Sequence, residues 1–130
     1  MLKQISVKSS SRNQLINITD DVAAVIESSG IGNGLCIIFI PHTTAAVTIN
    51  EGADPSVLRD ILSKTSTLVP SSDNYYHYEG NSDAHIKSSI IGCSLTVIID
   101  SGKLLLGTWQ SIFFCEFDGP RNRKVYLKIV

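Results

Sequence analysis

"SLTVIIDSGKLLLGTWQSIFFCEFDGPRNRKVYLKIV", residues 94–130, closes the chain with four strand candidates in a row: 94–100, 103–106, 111–117 and 124–130. Each is rich in Val, Ile, Leu or Phe, whose side chains pack well on a pleated surface. Asp100-Ser101-Gly102-Lys103 between the first two is a hairpin turn, because glycine takes the positive φ that such turns need. Hairpins join antiparallel neighbours. This run therefore asks for a largely antiparallel sheet.

The upstream residues supply the rest. Residues 3–9 (KQISVKS) and 14–19 (QLINIT) alternate apolar with polar, as half-buried strands do. Thr19 or Asp20 can cap a helix through Ser28, with Val22, Val25 and Ile26 on its apolar face and Gly30 at its end. "LCIIFI" (35–40) is apolar throughout and reads as a central strand covered on both faces, and Pro41, lacking an N–H, stops its pairing. "AVTINE" (46–51) alternates again. Asp54-Pro55 opens a second helix whose buried face is Leu58, Ile61 and Leu62, fading by about Thr65. After an aperiodic stretch from Val69, Ser82 or Asp83 caps a short third helix carrying His85, Ile86, Ile90 and Ile91. The order implies an α+β fold, a compact single domain over residues 1–130 with a largely antiparallel β-sheet and two to three helices.

Composition narrows the function. A formal charge of −1 and no face or tail of collected Lys and Arg give no footprint for nucleic acid. The cluster Arg121 to Lys124 reads as a solvated turn beside the last strand. No apolar run approaches the roughly 20 residues that span a bilayer, and the N-terminus lacks a signal-peptide stretch, so a cytoplasmic protein with no membrane partner is expected. Cys36, Cys93 and Cys115 each sit in apolar surroundings, which predicts three buried, reduced thiols.

All three histidines lie in polar segments: His42 in "PHTTAAVTINEGADP" (41–55), His77 and His85 in "NYYHYEGNSDAHIKSS" (74–89). His42 falls where a strand ends, His77 in the long loop, and His85 at the opening of a helix. Imidazoles drawn from separate elements are how a three-histidine zinc site with a water in its fourth position is built. The alternative is three unrelated surface histidines. Glu51 and Asn50 are candidates for orienting an imidazole or a bound water, because a ligating histidine gives its second N–H to an oxygen. Carboxylates with carbonyls and water would instead suit magnesium. Lys87, one turn into a helix, is the candidate cation for a phosphate, with Asn81 in the loop before it. Thr108, Trp109 and Gln110 in "LGTWQ" (106–110) form either a binding corner or a β-bulge with a core tryptophan. Glu116 stands mid-strand opposite Cys115 and Phe117, ordinary on a solvent face.

Taken together, His42-Thr43-Thr44-Ala45, Asn50-Glu51 with Asp54, Ala84-His85 with Lys87, and Gly107-Thr108-Trp109-Gln110 resemble the YjbQ family, also called the secondary thiamine-phosphate synthase family. The likeness covers nearly the whole chain. It implies a homotrimer of α+β domains. It also implies a thiamine-phosphate synthase-like transferase that joins a pyrimidine diphosphate to a thiazole phosphate and releases pyrophosphate. In that reading His42, His77, His85 and Glu51 are catalytic. Asn50, Asn81, Lys87, Thr108, Trp109 and Gln110 bind a small phosphorylated substrate, and a divalent metal, zinc or magnesium, sits on the histidines. The competing reading is a non-catalytic trimer that binds a metal or a small anion.

Overall fold

The computed structural model describes all of residues 1–130. Its elements in chain order are β1 (Leu2–Lys8), β2 (Gln14–Asn17), α1 (Thr19–Ser29), β3 (Gly34–Phe39), β4 (Ala45–Glu51), α2 (Pro55–Leu68), α3 (Ser82–Ile91), β5 (Ser94–Asp100), β6 (Lys103–Leu104), β7 (Gln110–Glu116) and β8 (Asn122–Ile129). The expected antiparallel sheet is two sheets, one of five strands ordered β1-β8-β3-β5-β6 and one of three ordered β2-β7-β4. Every pairing in both is antiparallel. The α+β class stands.

The core lies where the inner faces meet. Cys36, Ile38, Val97, Ile99, Val125, Leu127 and Ile129 from the larger sheet pack with Val47, Ile112 and Phe114 from the smaller, and Val22 and Ile26 of α1 join them. Alternation with period two puts these side chains on one face of each strand. The smaller sheet turns its other face to α3, where Ala46, Cys115 and Phe117 pack with Ala84. Three layers result, with α3 outermost.

Several expectations are corrected. β3 is covered on one face only: Leu35, Ile37 and Phe39 are 41%, 37% and 43% exposed on the other. An apolar run predicts burial on both faces, and a single chain supplies one side. Neither Thr19 nor Asp20 caps α1. The Asn17 side chain, two residues earlier, accepts the Thr19 N–H at 3.0 Å. Asp54 does cap α2, accepting the Ser56 N–H at 2.9 Å, but that helix runs to Leu68 and has no buried residue. In α3 the polar side is buried and Ile86 and Ile90 are exposed, the reverse of an ordinary surface helix. Trp109 is 66% exposed in the turn before β7 and is no core residue. Cys93 is exposed, because it falls at the junction between α3 and β5 and outside the ladder. Cys36 and Cys115 are buried, and burial pushes their thiols up to about 11 and about 12. No helix is long and apolar enough to cross a membrane.

Candidate functional site: a polar cleft at the histidines

The three histidines come from three kinds of local structure. His42 follows Pro41 just past β3, where the ladder has stopped and a side chain can leave the sheet. His77 belongs to the segment between α2 and α3, which has no regular structure beyond bends. His85 stands in the opening turn of α3. Tertiary folding brings all three to one cleft of about 460 Å3. Asn81, Glu79, Thr43, Thr44, Asp118, Arg121 and Arg123 share that lining, which contains no apolar side chain apart from Pro41.

His77 and His85 meet edge to face, ring centroids 5.3 Å apart at 89°. Two imidazoles on one tetrahedral zinc have centroids about 5 Å apart, given Zn–N bonds of roughly 2.0–2.1 Å. Glu79 stands beside them, its Oε2 3.9 Å from His77 Nε2. His42 is differently placed. Its Nε2 accepts the Lys124 backbone N–H at 2.9 Å, which requires that nitrogen to carry no proton. Partial burial lowers its pKa, and the Arg123 guanidinium lowers it further, so His42 stays neutral. No three His, Cys, Asp or Glu side chains converge as ligands within the chain. The geometry shows a histidine pair, with His42 on the same cleft and one nitrogen already engaged.

The cleft also has a wall of two arginines, each paired with a carboxylate, where the sequence predicts a solvated turn. Arg123 is 6% exposed and Glu116 0%. Arg123 Nε donates to Glu116 Oε1 at 2.9 Å while Nη2 reaches Oε2, a bidentate pair. Nη2 also donates to Thr44 Oγ1 at 2.8 Å. Nη1 has no partner in the chain, and Arg123 is among the residues that line the cleft. Glu116 further accepts the Ser9 hydroxyl at 2.6 Å and the Asp118 N–H at 3.1 Å. Arg121 is fixed by Asp118, Nε to the carbonyl at 2.8 Å and Nη2 to Oδ2 at 3.0 Å. Asn81 Nδ2 donates to the same Oδ2 at 2.8 Å, leaving Asn81 Oδ1 buried without a partner. Gly119 allows the β7–β8 turn to close, since a Cβ there would overlap the Ser11 carbonyl oxygen and come within 2.8 Å of Glu116 Cγ.

Other sequence candidates lie elsewhere. Lys87 is 3% exposed and donates to Asp83 Oδ2 at 3.3 Å and Asn13 Oδ1 at 3.2 Å, with the Phe117 ring centroid 5.6 Å away. An ammonium so enclosed holds the helix and is not offered to a phosphate. Asn50 and Glu51 sit opposite Ser111 and Gln110 at the far end of β4, and the Gly52 N–H donates to the Trp109 carbonyl at 2.8 Å. Gln110 Oε1 accepts the Gly107 N–H at 2.8 Å. Six residue steps separate Ala45 from Glu51, about 20 Å of extended strand. Within one chain Asn50 and Glu51 therefore orient no histidine, and Thr108, Trp109 and Gln110 line a different end of the sheet.

A family model described as "UPF0047 protein YjbQ-like" matches residues 3–130. A UPF0047 protein of Methanocaldococcus jannaschii is 54% identical over all of this chain and 94% of its own length. YugU, a UPF0047 protein of Bacillus subtilis, is 47% identical over all of this chain and 99% of its own. Among solved structures, an uncharacterized conserved protein of the YjbQ/UPF0047 family from Clostridium acetobutylicum superposes with a TM-score of 0.97 at 52% identity, covering 98% of this chain and 99% of that one. A YbjQ-like protein of unknown function from Sulfolobus solfataricus gives 0.95 at 36%, covering 99% and 95%. These findings overturn the transferase expectation. Relatives matched over 94% and 99% of their length carry a family designation without an activity, and the two solved neighbours are called uncharacterized and of unknown function. The burial of Lys87 removes the cation that was to meet a departing pyrophosphate.

Proposed function

The chain belongs to the YjbQ-like UPF0047 family, and on that premise we propose that its histidine cleft binds a divalent metal and, beside it, a small phosphorylated molecule. One observation carries this: two imidazoles at zinc-ligand spacing share an all-polar cleft with a buried arginine that keeps one donor edge free. His77 and His85 hold the metal, and solvent, Glu79 or a phosphate oxygen completes its shell. Zinc suits imidazole better than magnesium does. Arg123 Nη1 and Arg121 receive the phosphate oxygens, and Arg123 is pre-positioned by Glu116 and Thr44, so little reorganises on binding. His42, held neutral with Nε2 accepting from the Lys124 N–H, carries its proton on Nδ1 and is left as a hydrogen-bond donor that adds no charge.

Calorimetric titration of zinc into metal-free protein tests the reading. His85→Ala and His77→Ala should each weaken binding at least tenfold. Inorganic phosphate should bind the wild type, and Arg121→Ala should weaken it several-fold while leaving zinc affinity intact. Affinity for zinc should fall on acidification, because protons compete for the imidazoles. Equal zinc affinity in wild type and both histidine variants overturns the metal assignment.

The assembly goes with this reading. The bared face of β3 places Leu35 opposite Ile98 and Phe39 opposite Tyr126, and Tyr76 and Tyr78 stand 99% and 100% exposed. A strand apolar on both faces but covered on one is supplied with its second cover by further copies of the chain, in the trimer that the family resemblance implies. Sedimentation equilibrium at micromolar concentration should return three times the 14.1 kDa chain mass. A monomer mass removes the trimer. A cytoplasmic setting accords with three cysteines that form no disulfide.

A further inference from the structure

A second cleft, about 360 Å3, shares His42, Thr43 and His85 with the first and is lined further by Ser88, Ser89 and Cys93. It differs in chemistry. No Arg, Lys, Asp or Glu lines it, and no Phe, Tyr or Trp, so its only rings are the two histidines it shares with the first cleft. What it offers is hydroxyl groups. Ser89 Oγ donates its proton to the His85 carbonyl at 2.8 Å and remains an acceptor. Ser88 is 8% exposed, and its Oγ has no hydrogen-bond partner.

Two buried side-chain atoms in the chain lack a partner, Asn81 Oδ1 and Ser88 Oγ. Asn81 lines the charged cleft and Ser88 the neutral one. Asn81, His85 and Ser88 are spaced i, i+4, i+7 at and along α3, so they form one stripe on one helix face. A buried hydroxyl left unpaired is unfavourable, and such groups in native structures point to something that satisfies them. The stripe runs from the arginine wall, past the shared histidine, to the neutral pocket. Resting on the phosphate-binding reading above, we propose that the ligand is a phosphate monoester of a small polyhydroxylated compound. Its phosphate lies against Arg123, and its uncharged hydroxylated body lies in the second cleft with a hydroxyl on Ser88 Oγ.

Calorimetry with four probes decides it: inorganic phosphate, glycerol 3-phosphate, ribose 5-phosphate and glucose 6-phosphate. At least one ester should bind tenfold or more tighter than inorganic phosphate. Ser88→Ala should remove most of that advantage and leave inorganic phosphate affinity unchanged. The substitution also deletes an unpaired hydroxyl, so thermal stability should hold or rise, which separates lost binding from lost folding. Cys93, the one exposed thiol, gives an independent readout: the favoured ester at saturation should slow its alkylation by iodoacetamide at least threefold, and inorganic phosphate should not. If inorganic phosphate binds but no ester exceeds it, or if the ester advantage survives Ser88→Ala with Cys93 unprotected, the hydroxylated-ester assignment falls alone. If inorganic phosphate itself does not bind, the charged-cleft reading falls and this inference with it.

Discussion

Glu116→Ala is expected to remove roughly 3–5 kcal/mol of unfolding free energy at neutral pH, the range found when one partner of a buried ion pair is deleted. Glu116 is fully buried and accepts hydrogen bonds from Arg123, Ser9 and the Asp118 N–H. Alanine would leave the Arg123 guanidinium charged, 6% exposed and without a counter-ion. Against a total stability of about 5–15 kcal/mol for a domain, that is close to unfolding. Equilibrium urea denaturation measures it, and a loss under 1 kcal/mol would show that the pair is not buried as described. Glu116→Leu with Arg123→Met removes both charges and should recover most of the stability. The double variant should still lose phosphate binding, because the free Nη1 edge goes with the arginine.

The same pair sets an acid limit. Burial alone would raise the Glu116 pKa, but hydrogen bonds from Arg123, Ser9 and the Asp118 N–H, with the Arg123 charge, outweigh it and leave the carboxyl below its ordinary 4.5. A depressed folded pKa means the contribution is complete above the unfolded value and is lost as pH falls through the folded one. The wild type should therefore lose stability below about pH 4.5, and the Glu116→Leu, Arg123→Met variant should lose less over that window.

Both charges were legible in principle. Arg123 shares strand parity with Val125, Leu127 and Ile129, and Glu116 with Ile112 and Phe114, all of them buried. Two opposite charges on inward-facing positions of sequential strands predict a buried pair. Reading Arg121 to Lys124 as a solvated turn hides the alternation. The strands, the Asp54 cap and the Gly30 stop were readable because they depend on neighbours in sequence. His42, His77 and His85 line one cleft, although three ligands do not converge. Glu51 and Lys87 do not line that cleft within one chain. Proximity in sequence to a motif says nothing of which end of a strand, or which face of a helix, a side chain takes. "LCIIFI" shows the limit most plainly. A run apolar on both faces states that both will be covered and is silent on whether the cover is the same chain.

Asp83→Ala should destabilise as strongly at neutral pH as Glu116→Ala, and the two should part at high pH. Asp83 is 0% exposed and pairs with Lys87 Nζ at 3.3 Å and Arg12 Nη2 at 3.0 Å. Arg12 is 43% exposed at its side chain and loses little when its partner goes. Lys87 is 3% exposed and would be stranded beside Phe117 with only Asn13 Oδ1 to accept a hydrogen bond from it. A stranded lysine has an escape that an arginine lacks, because it can give up its proton. For an ordinary lysine near 10.4 that costs about 4–5 kcal/mol at pH 7, a ceiling on the charge penalty, and less at each higher pH. The Asp83→Ala deficit should therefore shrink by at least 1 kcal/mol between pH 7 and pH 9, while the Glu116→Ala deficit should not, since the guanidinium stays charged throughout. Parallel urea curves at the two pH values measure both. The Asp83 variant should also bind zinc more weakly at pH 7 than at pH 9 by more than the wild type does, because α3 carries His85 and its seating depends on that pair. Identical pH responses in the two variants would mean that Lys87 is hydrated, and that α3 is held by its apolar contact with Ala46, Cys115 and Phe117 alone.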